Sequence, residues 1–262
     1  WIFGGYWDEQ TVSDYAEEER SFKLKDTPQR NYKLIYCDVN QVTYNNISSR
    51  TVDGTIVSGN TFRDRIKKEC KSINNNNSAP YRCYDRLSRL KQAMVNVLTG
   101  DKIKDSVYLG VGQFSSPKNN TWNSHDGNSG RVLYPTVQLS DVNRDAILQE
   151  IVKLNAWSGT PSAAAYAESA AYMLGKKTYG KTNSGYSYSH TESRNGDDGY
   201  KSPLSGIDTS SSCNGQGIYF LTDGFANNNN DNATNELMKV TFDSLTESGL
   251  TGGTSDAGWP FI

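Results

Sequence analysis

Histidine is almost absent. The 262 residues hold two, His125 and His190, both within Ser/Gly/Asn-rich sequence. A serine hydroxyl needs a positioned base to become a nucleophile, and neither histidine sits in a motif that would supply one. Long apolar runs are missing too: nothing approaches the roughly 18–20 consecutive apolar residues of a membrane span. There is no basic excess, with 27 Lys/Arg against 29 Asp/Glu and a net charge of −2. A surface able to neutralise a row of phosphates is therefore not expected, nor is a nucleic-acid partner. The four cysteines, Cys37, Cys70, Cys83 and Cys213, contain no C-x2-C pair, which excludes zinc-ribbon and thioredoxin-like arrangements. Neither a Walker-type phosphate loop nor a G-x-S-x-G elbow occurs.

What is present is polar and rich in Tyr, Asn, Ser and Gly. Together with an even cysteine count this composition points to an exported, oxidised protein. Residues 1–30 are aromatic, then acidic, without periodicity, and read as an N-terminal arm. "YKLIYCDVN" (32–40) is a β-prone run ending in Asp38 and Asn40, a buried strand leading into a loop. A polar stretch follows to residue 82, read as an insertion over 41–82.

From residue 85 the pattern sharpens. "DRLSRLKQAMVNVLTG" sets Leu87, Leu90, Met94, Val97 and Leu98 on one helical stripe, with Asp85 as N-cap and Gly100 just past the end. "SVYLGVGQFSS" (106–116) reads as a buried strand. "GRVLYPTVQLS" (130–140) contains Pro135 and reads as an edge strand. "DVNRDAILQEIVKL" spaces Ile147, Leu148, Ile151 and Leu154 for a helix. "LNAWSGTPSAAAYAESAAYMLG" (154–175) opens an alanine-packed helix on Gly-Thr-Pro, which makes Thr160 an N-cap ahead of Pro161 at the first helical position. Residues 176–212 read as a second loop insertion. "GQGIYFLTDG" (215–224) is the clearest strand signal, "ATNELMKVTFDSL" (233–245) a further helix, and 251–262 a tail.

Strand, helix, strand, strand, helix, helix, strand, helix is an α/β order. It predicts a mainly parallel central sheet flanked by helices. Ligands of such sheets bind beyond the carboxyl ends of the strands. Asp38, Asn40, Thr160 and Asp223 all fall at strand or loop ends and all carry oxygen donors, the ligand type that hard divalent cations take. A bare helix cap at Thr160 and a plain turn at Thr222-Asp223-Gly224 are the structural alternatives. Cys70–Cys83 closes a short loop and is the easier disulfide. A Cys37–Cys213 bridge would span strand ends ~15–20 Å apart if both strands are parallel neighbours, beyond the ~4.4–6.8 Å that a disulfide allows, and stays open.

In order and spacing, "DRLSRLKQAMVNVL", "SVYLGVGQFSS", "LNAWSGTPSAAAYAESAAYML" and "GIYFLTDGFANNNN" resemble a von Willebrand factor A domain, over roughly residues 85–245. The wording is most similar to the A domain of type IV pilus tip-associated adhesins, the PilC/PilY family. The resemblance implies a Rossmann-like α/β fold over 31–250 with the two insertions. It also implies a metal-ion-dependent adhesion site taking Mg²⁺ or Ca²⁺, with Thr160 and Asp223 as two of its ligands. The D-x-S-x-S signature of that site is missing, and Asp38, Asn40 and Val42 stand where it would be. The implied function is non-enzymatic adhesion at a bacterial cell surface, pilus tip or outer membrane. It carries a role in pilus biogenesis, with minor pilins and a host-cell or abiotic surface ligand as partners. Tyr186, Tyr188 and Tyr200 are candidate aromatic contacts in the second insertion. Two alternatives stand beside it: an α/β hydrolase using a metal or serine site, and a structural pilus component whose metal site is vestigial.

Overall fold

The computed structural model describes residues 16–39, 49–52, 55–58, 70–76, 80–114, 117–118, 121–125, 129–155, 159–178, 185–205, 216–222 and 238. The chain is mixed α/β and forms two compact units, Trp1–Tyr108 with Gln138–Ala156, and Leu109–Val137 with Trp157–Ile262. The domain expected over 31–250 thus has parts in both.

In the first unit the strands β1 (Ala16–Phe22), β2 (Arg30–Val39), β5 (Lys71–Ser72) and β6 (Tyr81–Tyr84) form a sheet in the order β1-β2-β6-β5. A hairpin of β3 (Ser49–Val52) and β4 (Thr55–Ser58) lies within the first insertion. The expected arm therefore contains a strand, β1, that no hydrophobic periodicity announced. Its residues Ala16 to Ser21 are exposed or half-buried, and cross-strand partners hold them instead. Lys33 Nζ donates to Glu17 Oε2 at 2.6 Å, and the Tyr84 hydroxyl donates to Glu18 Oε2 at 2.5 Å. Such pairing is invisible in a local window.

Helix α1 (Arg86–Thr99) follows β6 directly. Asp85 is its N-cap, accepting from the Ser88 amide as expected, and Gly100 ends it in an extended rather than left-handed conformation. The buried stripe runs through Ser88, Lys91, Val95 and Leu98, so of the expected apolar stripe only Leu98 is fully buried, and Val97 is exposed. The helix is rotated because its polar side chains serve the sheet: the Ser88 hydroxyl accepts the Ile35 amide at 2.7 Å. Burial of the Lys91 ammonium pushes its pKa down, and the nearby Asp85 carboxylate opposes this.

Helix α2 (Asp141–Val152) buries Ile147, Leu148 and Ile151 as the spacing predicts, and it packs with α1 on β2. Ser140 caps it by accepting the Asn143 amide. Buried Asp145 on α2 takes a two-pronged ion pair from Arg30, with Nη2 at 2.8 Å from Oδ2 and Nε at 3.2 Å from both oxygens.

In the second unit β7 (Tyr108–Phe114) pairs with β10 (Gly130–Gln138), and β8 (Pro117–Lys118) with β9 (Thr121–His125). As expected, Pro135 lies in a strand with one neighbour among the described residues. The expected buried strand at 106–116 forms as β7 but is only half-buried, because an apolar run does not reveal which of its faces another element covers. Every strand register defined among the described residues is antiparallel, unlike the mainly parallel sheet expected. Residues 216–222 form no strand: Tyr219 is 90% exposed and Leu221 55%, while the Phe220 ring stacks on Phe114 at 5.3 Å. Strand propensity needs a ladder partner, and this run finds none among the described residues.

Helix α3 (Ser162–Leu174) begins one residue later than the cap expected at Thr160. Pro161 occupies the cap position and makes no side-chain cap bond, and the Ser162 amide bonds the Thr160 carbonyl at 2.9 Å. Gly175 ends it with φ +64°, a left-handed turn in which the Lys176 amide returns to Ala171. The core of this unit joins Val132, Ala167, Ala171, Tyr172, Tyr186, Tyr200 and Met238.

Candidate functional site

The alanines of α3 allow close approach to β10. A Cβ placed on Gly130 would lie 2.5 Å from Ala165 Cα and 2.6 Å from its Cβ, a contact that only glycine permits. Gly130→Ala is expected to lower stability by about 1–3 kcal/mol through overpacking, read as a shift of the denaturant midpoint. An unshifted midpoint would show that the strand and helix are not held this tightly.

One face of α3 carries a carboxyl group into the interior. Glu168, the only charged residue of Ser162–Leu174, is 2% exposed. Its Oε1 accepts the Tyr200 hydroxyl at 2.5 Å and the Thr178 hydroxyl at 2.9 Å. Ser189 Oγ stands 3.2 Å from the Tyr200 hydroxyl and accepts the Val132 amide at 3.0 Å. Burial pushes the Glu168 pKa up to about 7, and the two hydroxyl donors only partly offset it. Burial, followed by the neighbouring Glu168 charge, holds the Tyr200 phenol well above its ordinary range.

The three tyrosines expected to meet an external ligand are placed differently. Tyr200 and Tyr186 are 2% and 1% exposed and pack edge to face at 5.0 Å, so their rings fill the core. The Tyr186 hydroxyl donates to the Gly196 and Gly199 carbonyls, fixing the short hairpin of β11 (Arg194–Asn195) and β12 (Gly199–Tyr200). Tyr188 is half-buried, and its carbonyl accepts Arg131 Nη1 at 3.1 Å. The described part of the 176–212 insertion is therefore packed structure. The tyrosines turn inward because α3 presents small residues and one carboxyl, which large amphipathic rings fill and satisfy.

Among the expected metal ligands, Thr160 is half-buried just ahead of α3. Asp38 lies in β2, but its side chain, Asn40 and Asp223 lie outside what the structure describes. Among the described residues, no three of His, Cys, Asp and Glu gather as a metal-binding group. His190 Nδ1 accepts the Glu192 amide at 3.3 Å and its ring packs against Tyr134; the side chain of His125 lies outside the described residues.

The Cys70–Cys83 disulfide forms as expected, with Cα atoms 4.5 Å apart. Cys37 and Cys213 cannot be paired here, since the Cys37 side chain and all of Cys213 lie outside the described residues.

Glu168 was the functional-looking residue that sequence reading passed over. Its one visible signal is a lone charge inside an otherwise small and apolar helix. The chemistry of the cluster is that of a titratable anchor: a carboxyl and three hydroxyls tie the middle of α3, Thr178 beyond its end, β12 and the turn at Ser189 together. No family model, curated protein or solved structure matches the chain.

Proposed function

We propose that this chain is a non-enzymatic adhesion module of a bacterial type IV pilus tip protein, exported to the cell surface, with the Rossmann-like fold of the von Willebrand factor A domain. The observation that supports it most is the succession of elements. β2, α1, β7, β10, α2 and α3 keep the order that the resemblance requires, with β3–β6 and β8–β9 set between them and the last strand of that order not formed over 216–222; Gly159-Thr160-Pro161 precedes α3. The core of such a module presents loops, and loops on a rigid frame carry recognition.

The reading includes a divalent cation, Mg²⁺ or Ca²⁺, with Asp38, Asn40, Thr160 and Asp223 as its oxygen donors. Thr160 is half-buried just ahead of α3, and its hydroxyl is the oxygen that the reading gives to the cation. Bound there, the cation would offer an open coordination position to an acidic group of the ligand.

The test is adherence of the purified chain to abiotic and epithelial-cell surfaces, with millimolar Mg²⁺ or Ca²⁺ and with EDTA. Chelation, Thr160→Ala and Asp223→Ala should each weaken binding by about tenfold, roughly 1.4 kcal/mol. Adherence that all three leave unchanged would favour the structural pilus component with a vestigial site. Turnover of an ester, peptide or phosphate that Asp223→Ala abolishes would replace adhesion with hydrolysis.

A further inference from the structure

The sheet of the first unit sets three cysteines in one row. In the β2–β6 ladder Cys37 is the register partner of Cys83. On the other side of β6, Lys71 pairs with Arg82 and Ser72 with Tyr81, so the next position opposite Cys83 is Cys70. Cys83 is thus the middle residue of a row across three neighbouring strands, and the disulfide joins it to one of its two neighbours.

Register partners on antiparallel strands share a face, with Cα atoms about 4.5–5.5 Å apart. That spacing lies inside the ~4.4–6.8 Å window of a disulfide. By backbone register, position 37 also stands within the range of a bond to Cys83, on the side of β6 opposite position 70. Cys83 is 3% exposed, so an external thiol meets a covered residue whereas its neighbour on β2 is already beside it.

We propose that this row is a thiol–disulfide exchange relay, in which Cys37 displaces Cys70 from Cys83. The Cys37 thiol loses its proton to solvent, and the thiolate attacks Sγ of Cys83. The Cys37–Cys83 bond forms as the Cys83–Cys70 bond breaks, and Cys70 leaves as a thiolate that takes up a proton. One disulfide is exchanged for another, so no oxidant or reductant is consumed. The bond moves from a sequence separation of 13 residues to the 46 between positions 37 and 83. Cys70 and the adjoining β5 are released, while β2 becomes the strand tied to β6. The exchange therefore replaces a short loop closed at the C-terminal end of the 41–82 insertion by a bond that joins the two strands flanking the insertion. This holds whether or not the chain is an adhesin.

The experiment is disulfide mapping of the intact chain by non-reducing proteolysis and mass spectrometry, with thiols trapped by N-ethylmaleimide. In the wild-type chain a Cys37–Cys83 peptide should accompany alkylated Cys70. It should form about tenfold faster for each pH unit from 6 towards 8.5, where the thiolate of an ordinary cysteine becomes abundant. In Cys70→Ser the Cys37–Cys83 peptide should become the dominant species after air oxidation. The relay is overturned if Cys37 is found only in a bridge to Cys213. It is equally overturned if Cys37 is alkylated throughout in both chains, with no Cys37–Cys83 peptide at any pH.

Discussion

Arg144→Met is expected to destabilise the first unit by about 3 kcal/mol, the cost of leaving two buried carbonyls and one half-buried carbonyl without a donor. The Arg144 side chain is 3% exposed. Its Nη1 donates to the Leu98 carbonyl at 3.1 Å and its Nε to the Leu139 carbonyl at 3.3 Å. Nη2 donates to the Ile103 carbonyl and, at 2.9 Å, to Asp105 Oδ1. One guanidinium thus ties together the last turn of α1, the segment that follows it and the entry to α2. Leu98 lies in the last turn of α1, where carbonyls have no partner within the helix. Asp105 is largely exposed, so its ion pair with Arg144 adds little, and the carbonyls carry the effect. Arg144→Lys keeps the charge but replaces a planar fork with a single ammonium, and should recover only part of the loss. The measurement is the denaturant midpoint of all three chains. Midpoints of both variants within experimental error of wild type would remove Arg144 from this role.

The second large effect is a pH dependence that Glu168 should impose on the second unit. A carboxyl whose pKa rises on folding, here from an ordinary 4.5 to about 7, binds its proton more tightly in the native state. Below about pH 4.5 the group is neutral in both states and carries no penalty. Between 4.5 and 7 the unfolded chain ionises while the native chain keeps its proton, so stability falls as pH rises. Above about 7 the penalty is complete, on the order of 3 kcal/mol for a displacement of this size. Glu168→Gln cannot ionise. Relative to wild type it should therefore gain on the order of 3 kcal/mol between pH 4.5 and pH 8. The quantity to read is the difference between the two stabilities at each pH, which cancels the titration of groups common to both. A gap that stays constant from pH 4.5 to 8 would mean that Glu168 is not held in this buried state. Tyr200→Phe removes a donor to the carboxylate, and should move the decline in stability to still higher pH.

Some of this was legible in the sequence and some was not. The α2 stripe was readable because Ile147, Leu148 and Ile151 are apolar residues at helical spacing with one covered face. The Asp85 cap of α1 and the Cys70–Cys83 bridge were readable because each depends on residues close in the chain. The covered face of α1 was misplaced, since Ser88 is buried for its hydroxyl and Lys91 lies in the same stripe, neither of which hydrophobicity marks. Strand β1 was missed because its order rests on Glu17 and Glu18 meeting partners on β2 and β6. The run Ile218–Leu221 misled in the other direction, having strand-like composition but no ladder partner among the described residues. Thr160 was taken for a cap because Thr before Pro so often is one, whereas the Ser162 amide bonds to the Thr160 carbonyl and the helix starts later.

The sequence by itself determined the mixed α/β character, the succession of helices and strands, the short disulfide and the oxygen-rich character of the expected cation ligands. These follow from residue type, periodicity and loop length, all of them local. Only the tertiary structure decided that Tyr186 and Tyr200 are core, that Glu168 is a buried carboxyl with hydroxyl partners, and that Cys83 stands between Cys37 and Cys70. Each depends on register or burial, and both are set by what lies across the sheet or against the helix, at distances along the chain that no sequence window spans.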